Sequence, residues 1–402
     1  MDVRTKIEWL EQAAQYDACL EAGEPTPASL APRVPDLRDS IAQLSANGRK
    51  VPILKILQTS ACEKNCYYCP FRAGRNFRRE TLSPDELAAS FDQMQRAGLV
   101  QGIFLSSGII GTVRSMDRML QTVELIRLKY GFRGYIHLKL LPAAEEAQIE
   151  RAVHLADRVS TNLEAPTAQH LSRLAPMKTF EESLVEPLKR ARRLIQQTQG
   201  SSGQQVARSG MVTQFVVGPA GESDRDLLGA SQRLYREVGL HRAYYSAFSP
   251  VRDTPLEGAP ATPPRREFRL YQSDFLLRAY GFRVEELPFD GGGNLPLDQD
   301  PKTLWAQGHP ERFPLEINRA APQDLVRVPG IGPQTMRNIL RARLDGKLSD
   351  LGQLKKLGVD VAQAAPYVLL NGRAAPVQMR LGFAWEALNL SPSSPRQPAR
   401  SA

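Results

Sequence analysis

Three of the four cysteines in this 402-residue chain fall within eight residues, in the run Thr59-Ser60-Ala61-Cys62-Glu63-Lys64-Asn65-Cys66-Tyr67-Tyr68-Cys69-Pro70. A disulfide framework spreads its cysteines along the chain, whereas this cluster offers soft ligands to a metal in a reducing compartment. Three thiolates leave a tetrahedral zinc site one ligand short. They can instead hold three irons of a cubane and leave the fourth open to a ligand that is not protein, an arrangement suited to one-electron chemistry. Zinc stays open as the alternative, with Cys19 or one of the five histidines as fourth ligand. The first histidine after Cys69, however, is His137, and Cys19 falls on a predicted N-terminal helix.

Such thiols need a scaffold that fixes their loop. From about residue 51 to 287 a short strand alternates with an amphipathic helix six times. The predicted strands are Ile53–Thr59, Gly102–Ser106, Tyr135–Leu140, Arg158–Asn162, Met211–Val217 and Arg242–Phe248. The first following helix has Ser83 as N-cap, Pro84 at its first position, Glu86 closing a capping box, Leu87, Phe91 and Met94 on one face, and Gly98 past its end. Later helices fit Ser115–Lys129, Ala144–Ala156, Phe180–Gln197, Asp224–Val238 and Arg265–Tyr280. Six β/α units in series predict an α/β fold with a parallel sheet, open or curled into a barrel, and place the chemistry at the C-terminal ends of the strands. The cysteine run directly follows the first strand.

With aromatic Tyr68 just before the third cysteine, Cys62-x3-Cys66-x2-Cys69 resembles the radical S-adenosylmethionine (SAM) superfamily, over about residues 50–285. The resemblance implies a partial (β/α)6 barrel, a [4Fe-4S] cluster on Cys62, Cys66 and Cys69, and SAM chelated at the open iron. It implies an enzyme in which an electron, from a donor such as flavodoxin or ferredoxin, cleaves SAM to a 5′-deoxyadenosyl radical that abstracts hydrogen from substrate. The cofactor-binding residues it implies are Tyr68, then Ser106, Ser107 and Gly108 in place of the family's Gly-Gly-Glu-like turn, here without a Glu. Ser160, Asn162 and Glu164 stand where the family contacts the ribose, and Gln214, Val217 and Gly218 where it shapes the adenine wall. Tyr245, Ser246 and Phe248 would face adenine or substrate. Each of these also has a plainer reading as a cap or turn residue, and Lys139 as a strand-end charge. No catalytic acid, base or radical relay is assigned.

Toward the C-terminus, Asp324-Leu325-Val326-Arg327-Val328-Pro329-Gly330-Ile331-Gly332-Pro333 leads into a helix carrying Met336, Ile339 and Leu340 on one face. It resembles the helix-hairpin-helix module that grips DNA through its backbone, with a degenerate second copy at Leu357-Gly358-Val359. Gly330, Ile331, Gly332, Arg337 and Arg341 are its candidate nucleic-acid contacts, through free amides and a helix dipole at the second helix's start. Of the 52 cationic side chains 40 are Arg, and the formal net charge is +9, a balance that suits a polyanion. A helical hairpin used only for packing or protein contact is the plainer reading. The basic run Arg72, Arg75, Arg78 and Arg79, with Phe71 and Phe77, reads as a guide for a nucleic-acid strand, a solvated loop, or a counterweight to the cluster's charge.

These features divide the chain into an N-terminal helix (residues 2–20) with a Pro-rich linker (1–49), the barrel (50–287), a linker (288–317), a small all-α helix-hairpin-helix domain (318–374) and a polar tail (375–402). Trp305 and His309 either cap the barrel mouth or pack the linker. Barrel and hairpin together resemble a bacterial group of radical SAM proteins named for DNA modification or repair and paired with a uracil-DNA-glycosylase-like partner. The expected target is DNA in preference to RNA; an RNA-modifying enzyme and a non-catalytic DNA-binding iron–sulfur protein are the alternatives. No apolar run is long enough to span a membrane, and a cytoplasmic location is expected.

Overall fold

The computed structural model describes residues 2–14, 41–46, 49–202 and 206–374. Its main sheet takes its strands in chain order: β1 (Ile41–Ala46), β2 (Arg49–Leu57), β3 (Gly102–Ser106), β4 (Tyr135–Lys139), β5 (Arg158–Ser160), β6 (Met211–Val217) and β7 (Arg242–Ala247). Every pairing from β2 to β7 is parallel. A doubly wound sheet reverses its order at a switch point, whereas here each crossover advances in the same sense, which curls the sheet. β1 and β7 remain its edges, so the α/β fold is a partial barrel.

The strand pattern predicts six of these strands and not β1, which pairs antiparallel with β2, Ala46 opposite Arg49. Its one sequence signal is the hairpin-forming dipeptide Asn47-Gly48. The alanines and polar residues of Ile41–Ala46 carry little strand propensity.

The helices of this part are α1 (Val3–Ala14), α2 (Pro84–Arg96), α3 (Thr112–Glu124), α4 (Glu146–Leu155), α5 (Ala168–Leu174), α6 (Glu186–Ser202), α7 (Asp224–Glu237) and α8 (Pro264–Ala279). Residues 15–20 of the predicted first helix, and with them Cys19, lie outside the described residues. On α2 the capping box is formed: Ser83 Oγ accepts from the Glu86 amide, and Glu86 Oε2 accepts from the Ser83 amide at 2.7 Å. α5 is an addition to the predicted set, started by Thr167, whose hydroxyl accepts from the His170 amide.

Side chains alternate across each strand. Tyr245 of β7 reaches Ser231 of α7 (2.8 Å) and Asp274 of α8 (3.2 Å), so its face is the helix-covered one. Tyr244 points the other way and clusters with Ile53, Phe104 and Val212, from β2, β3 and β6. Only a curled sheet brings such separated strands together. The register puts Lys55, Phe104, His137 and Ser160 on this concave face, with Gln214 beside Tyr244 and Ser246 further along. The helix-facing side is apolar (Leu54, Ile56, Ile103, Leu105, Ile136, Leu138), which anchors the wall by burial.

Two compact units result, one running to Arg278 with Phe282–Pro301, the other Ala279–Gly281 with the chain from Lys302 onward. The second holds α9 (Pro301–Gln307, from its second residue), α10 (Pro322–Leu325), α11 (Pro333–Asp345), α12 (Leu351–Lys356) and α13 (Val361–Ala364). It is not all-α as the sequence pattern predicts: β8 (Leu315–Glu316), β9 (Val368–Leu370) and β10 (Arg373–Ala374) form a small sheet. Strands of two or three residues are too short to show an alternation. In this unit Trp305 stacks on His309 at 4.3 Å and on the Arg327 guanidinium at 4.9 Å, a packing role.

Candidate metal centre and cofactor site

The cysteine loop leaves the C-terminal end of β2 and is pinched shut at its base. Leu82 donates to the Gln58 carbonyl at 3.0 Å, Ser60 to the Glu80 carbonyl, and Glu80 to Ser60 Oγ. The Gln58 side chain is itself fixed by Leu82 and by Thr122 of α3. Inside the loop, Arg79 donates to the carbonyls of Ser60, Phe71, Arg72 and Arg75 while stacking on Phe77 at 4.3 Å. Arg75 donates to the Pro70 and Arg252 carbonyls, and Arg78 pairs with Glu80. These three guanidiniums and the Phe77 ring therefore shape the loop, and the strand-guide reading of the basic run loses them.

The turn after β3 braces the loop from below. Gly108 donates to the Thr59 carbonyl at 2.7 Å, and a Cβ there would stand 2.2 Å from the Ala61 carbonyl oxygen, so only glycine fits. Glu63 donates through its amide to the Ile109 carbonyl and accepts through Oε2 from the Gly111 amide. That amide bond holds its carboxyl below the usual range. Across the site, Tyr67 donates to the Leu174 carbonyl of α5 at 2.7 Å.

Cys66 is buried, and Cys62 and Cys69 are partly exposed. Burial pushes the Cys66 and Cys69 thiols up; the charge of Cys62 adds to both, and that of Cys66 adds to Cys69. A bound metal's positive charge would offset the cost of holding these two groups as thiolates. Cys69 Sγ already accepts from the Phe71 amide at 3.4 Å. No three His, Cys, Asp or Glu side chains among the described residues converge as ligands of a single ion. In a cubane each thiolate meets a different iron, so three soft donors on one loop that do not converge on a single ion are compatible with a cluster.

Of the other predicted site residues, the structure brings Tyr68 and Glu164 together. The buried Glu164 carboxylate accepts from Lys178 Nζ at 2.9 Å, and its charge, after burial itself, drives the Tyr68 phenol well above its usual range. Glu164 has φ +65° and bonds by its amide and carbonyl to Gln214 and Val216 of β6. Asn162 donates to Gln214 Oε1 at 3.2 Å, and Ser160 Oγ shares a hydrogen bond with His137 Nε2 at 2.8 Å. Next to them the buried Thr161 hydroxyl has no hydrogen-bond partner among the described residues. Ser106 is buried at the end of β3, and Ser107 Oγ donates to the Gly108 carbonyl. Ser246 lies on the concave face, and Phe248 is buried just beyond β7, donating to the Val217 carbonyl.

Three expectations need correction. Tyr245 faces the helices, where Ser231 and Asp274 hold its hydroxyl, and so cannot face adenine or substrate. Val217 shares that side with Phe215, which stacks on Tyr245, and its carbonyl accepts from Thr262 Oγ1; Val216 is the residue on the concave face. In the second unit Ile331 is buried, its amide donates to the Val328 carbonyl and its carbonyl accepts from Lys302 Nζ, which leaves it nothing for a phosphate. Gly218 stays at its turn for packing: φ is +110°, and a Cβ would stand 2.1 Å from Thr262 Oγ1. Lys178 is the site residue that the sequence pattern misses. It stands in Ala175-Pro176-Met177-Lys178, with no spacing that ties it to the cysteines.

Residues 56–230 match the model of the Radical SAM superfamily. The chain therefore carries a radical SAM domain, a domain of enzymes, whose cofactors are a [4Fe-4S] cluster and SAM. No curated protein matches the chain. Among solved structures it is similar to the FeFe-hydrogenase maturase HydG from Carboxydothermus hydrogenoformans, at 14% identity and a TM-score of 0.44 over 56% of this chain and 51% of that one. A second HydG structure gives 12% identity and a TM-score of 0.45 over 69% and 62%. Methylornithine synthase (PylB) gives 15% and 0.45 over 69% and 72%. The chain thus spans between half and two thirds of the two hydrogenase maturases' length.

Proposed function

We propose that this protein uses radical SAM chemistry on nucleic acid, DNA in preference to RNA, in modification or repair. When bound, the cluster and SAM supply a one-electron cleavage that yields a hydrogen-abstracting 5′-deoxyadenosyl radical. Cys62, Cys66 and Cys69 would hold the cluster. The Ser106–Gly108 turn, Ser160, Asn162, Glu164 and Gln214 would seat SAM, with the spare Thr161 hydroxyl as a further donor or acceptor. An electron donor such as flavodoxin or ferredoxin serves the cluster, and a uracil-DNA-glycosylase-like protein is the proposed partner.

One observation carries the nucleic-acid reading: two glycine turns packed on one another in the second unit. Gly330 has φ +79° and Gly358 φ +92°, and a Cβ on Gly330 would stand 2.4 Å from the Asp360 carbonyl oxygen. The Asp360 amide donates to the Gly330 carbonyl at 3.0 Å, and Thr335 and Asn338 of α11 reach the carbonyls of Gly358 and Leu357. This supports a doubled helix-hairpin-helix. α11 begins at Pro333 without a side-chain cap, so its first amides are available to a phosphate, and Arg337 and Arg341 are exposed one and two turns on. α13, by contrast, is capped by the Asp360 carboxylate, which would repel one. Anaerobic reconstitution with SAM and duplex DNA or structured RNA, followed by mass analysis of nucleosides, tests the reading. A modified deoxynucleoside that disappears in Cys62→Ala is expected. Tighter binding and modification of RNA overturn the DNA assignment, and failure of the reduced protein to form 5′-deoxyadenosine overturns the radical chemistry.

A further inference from the structure

The buried ion pair beside the cysteines demands a reason. Glu164 and Lys178 have side chains only 5% and 9% exposed and meet at 2.9 Å. The attraction within such a pair rarely repays the desolvation of both charges, and Glu164 also holds a positive φ, strained for a residue with a side chain. What the pair adjoins is the cluster loop. Both charges lie within electrostatic reach of Cys66, and that of Lys178 reaches Cys69 as well. The backbone seats it there: Tyr67 bonds to the end of α5 at Leu174, and the Lys178 amide donates to the Ala175 carbonyl at 2.9 Å.

A cluster held by three thiolates gains one more negative charge on reduction, and a fixed cation in a dry site stabilises the reduced state more than the oxidised one. We propose that Lys178 is a positioning residue that raises the reduction potential of the cluster on Cys62, Cys66 and Cys69, with Glu164 holding its ammonium in place and partly opposing it. The proposal rests on the cofactor reading above.

Redox titration of the anaerobic protein without SAM, followed by electron paramagnetic resonance with iron and sulfide counted in parallel, tests it. Lys178→Met is expected to titrate at a more negative midpoint than wild type, Lys178→Arg close to wild type, and Glu164→Gln at a more positive midpoint. Equal midpoints for wild type and Lys178→Met, or shifts of the same sign for Lys178→Met and Glu164→Gln, overturn it. Should Lys178→Met lose its cluster, the double variant Lys178→Met/Glu164→Gln, which strands no buried carboxylate, is compared with Glu164→Gln. A lower midpoint in the double variant supports the role, and equality overturns it. A wild-type protein with no cluster signal would sink the cofactor reading itself, an outcome distinct from unchanged midpoints.

Discussion

At Gly108 the turn after the second parallel strand comes within a methyl group of the cysteine loop. Adding that methyl as Gly108→Ala must push Ala61 aside and, with it, the first cysteine. Overpacking of this kind costs about 1–3 kcal/mol, and the variant should take up less iron on reconstitution; full iron content at unchanged stability would contradict the tight fit. Tyr245 makes the opposite point. Its phenol belongs to a buried network in which Asp274 also accepts from Tyr235 and pairs with Arg278 at 2.7 Å. Tyr245→Phe should therefore cost about 1 kcal/mol in unfolding experiments and leave SAM affinity unchanged. A large loss of SAM affinity would return Tyr245 to the cofactor side of the wall.

Among the elements, α2 shows local rules at their strongest, because its cap, its first-position proline and its buried Leu87, Phe91 and Met94 all read directly from consecutive residues. Tertiary structure adds that Lys6 of α1 reaches Glu86 at 2.9 Å. The Ser83 amide first, and then Lys6, hold the Glu86 carboxyl below the usual carboxylate range. Its stabilising contribution is complete above the unfolded-chain value of about 4.3 and is lost as pH falls through the depressed folded value. Between about pH 5 and pH 3 wild type should therefore lose more stability than Glu86→Gln. Urea unfolding across that range checks it, and parallel acid limbs would refute it. β1 and α5 escape the same local rules. A strand in which Ile41 and Leu44 stand among alanines and polar residues exists because β2 offers an edge, and α5 is too short to display a face.

For the whole molecule, the proposed function gives the two units different chemistry: a radical site at the ends of parallel strands in one, and in the other a basic hairpin pair that would grip a phosphate backbone. Substituting both Arg337 and Arg341 by Ala should weaken duplex DNA binding across sequences and lower the slope of log affinity against log salt by about 2. SAM cleavage without DNA should stay unchanged. A salt slope equal to wild type would remove these arginines from the interface. No helix among the described residues is long and apolar enough to cross a membrane.

The sequence by itself determined the order of the elements and the position of the three cysteines proposed as ligands. Cysteine spacing, capping and hydrophobic period are properties of neighbours along the chain, and Cys62, Cys66 and Cys69 fall after the first parallel strand as their position predicts. Only the tertiary structure decided which way each strand-end residue faces and which distant charges meet. One residue of register turns Val216 inward and Val217 outward. The meeting of Lys178 with Glu164 depends on how two loops fold over the ends of the sheet. Such pairings are set by long-range packing and leave no local pattern to read.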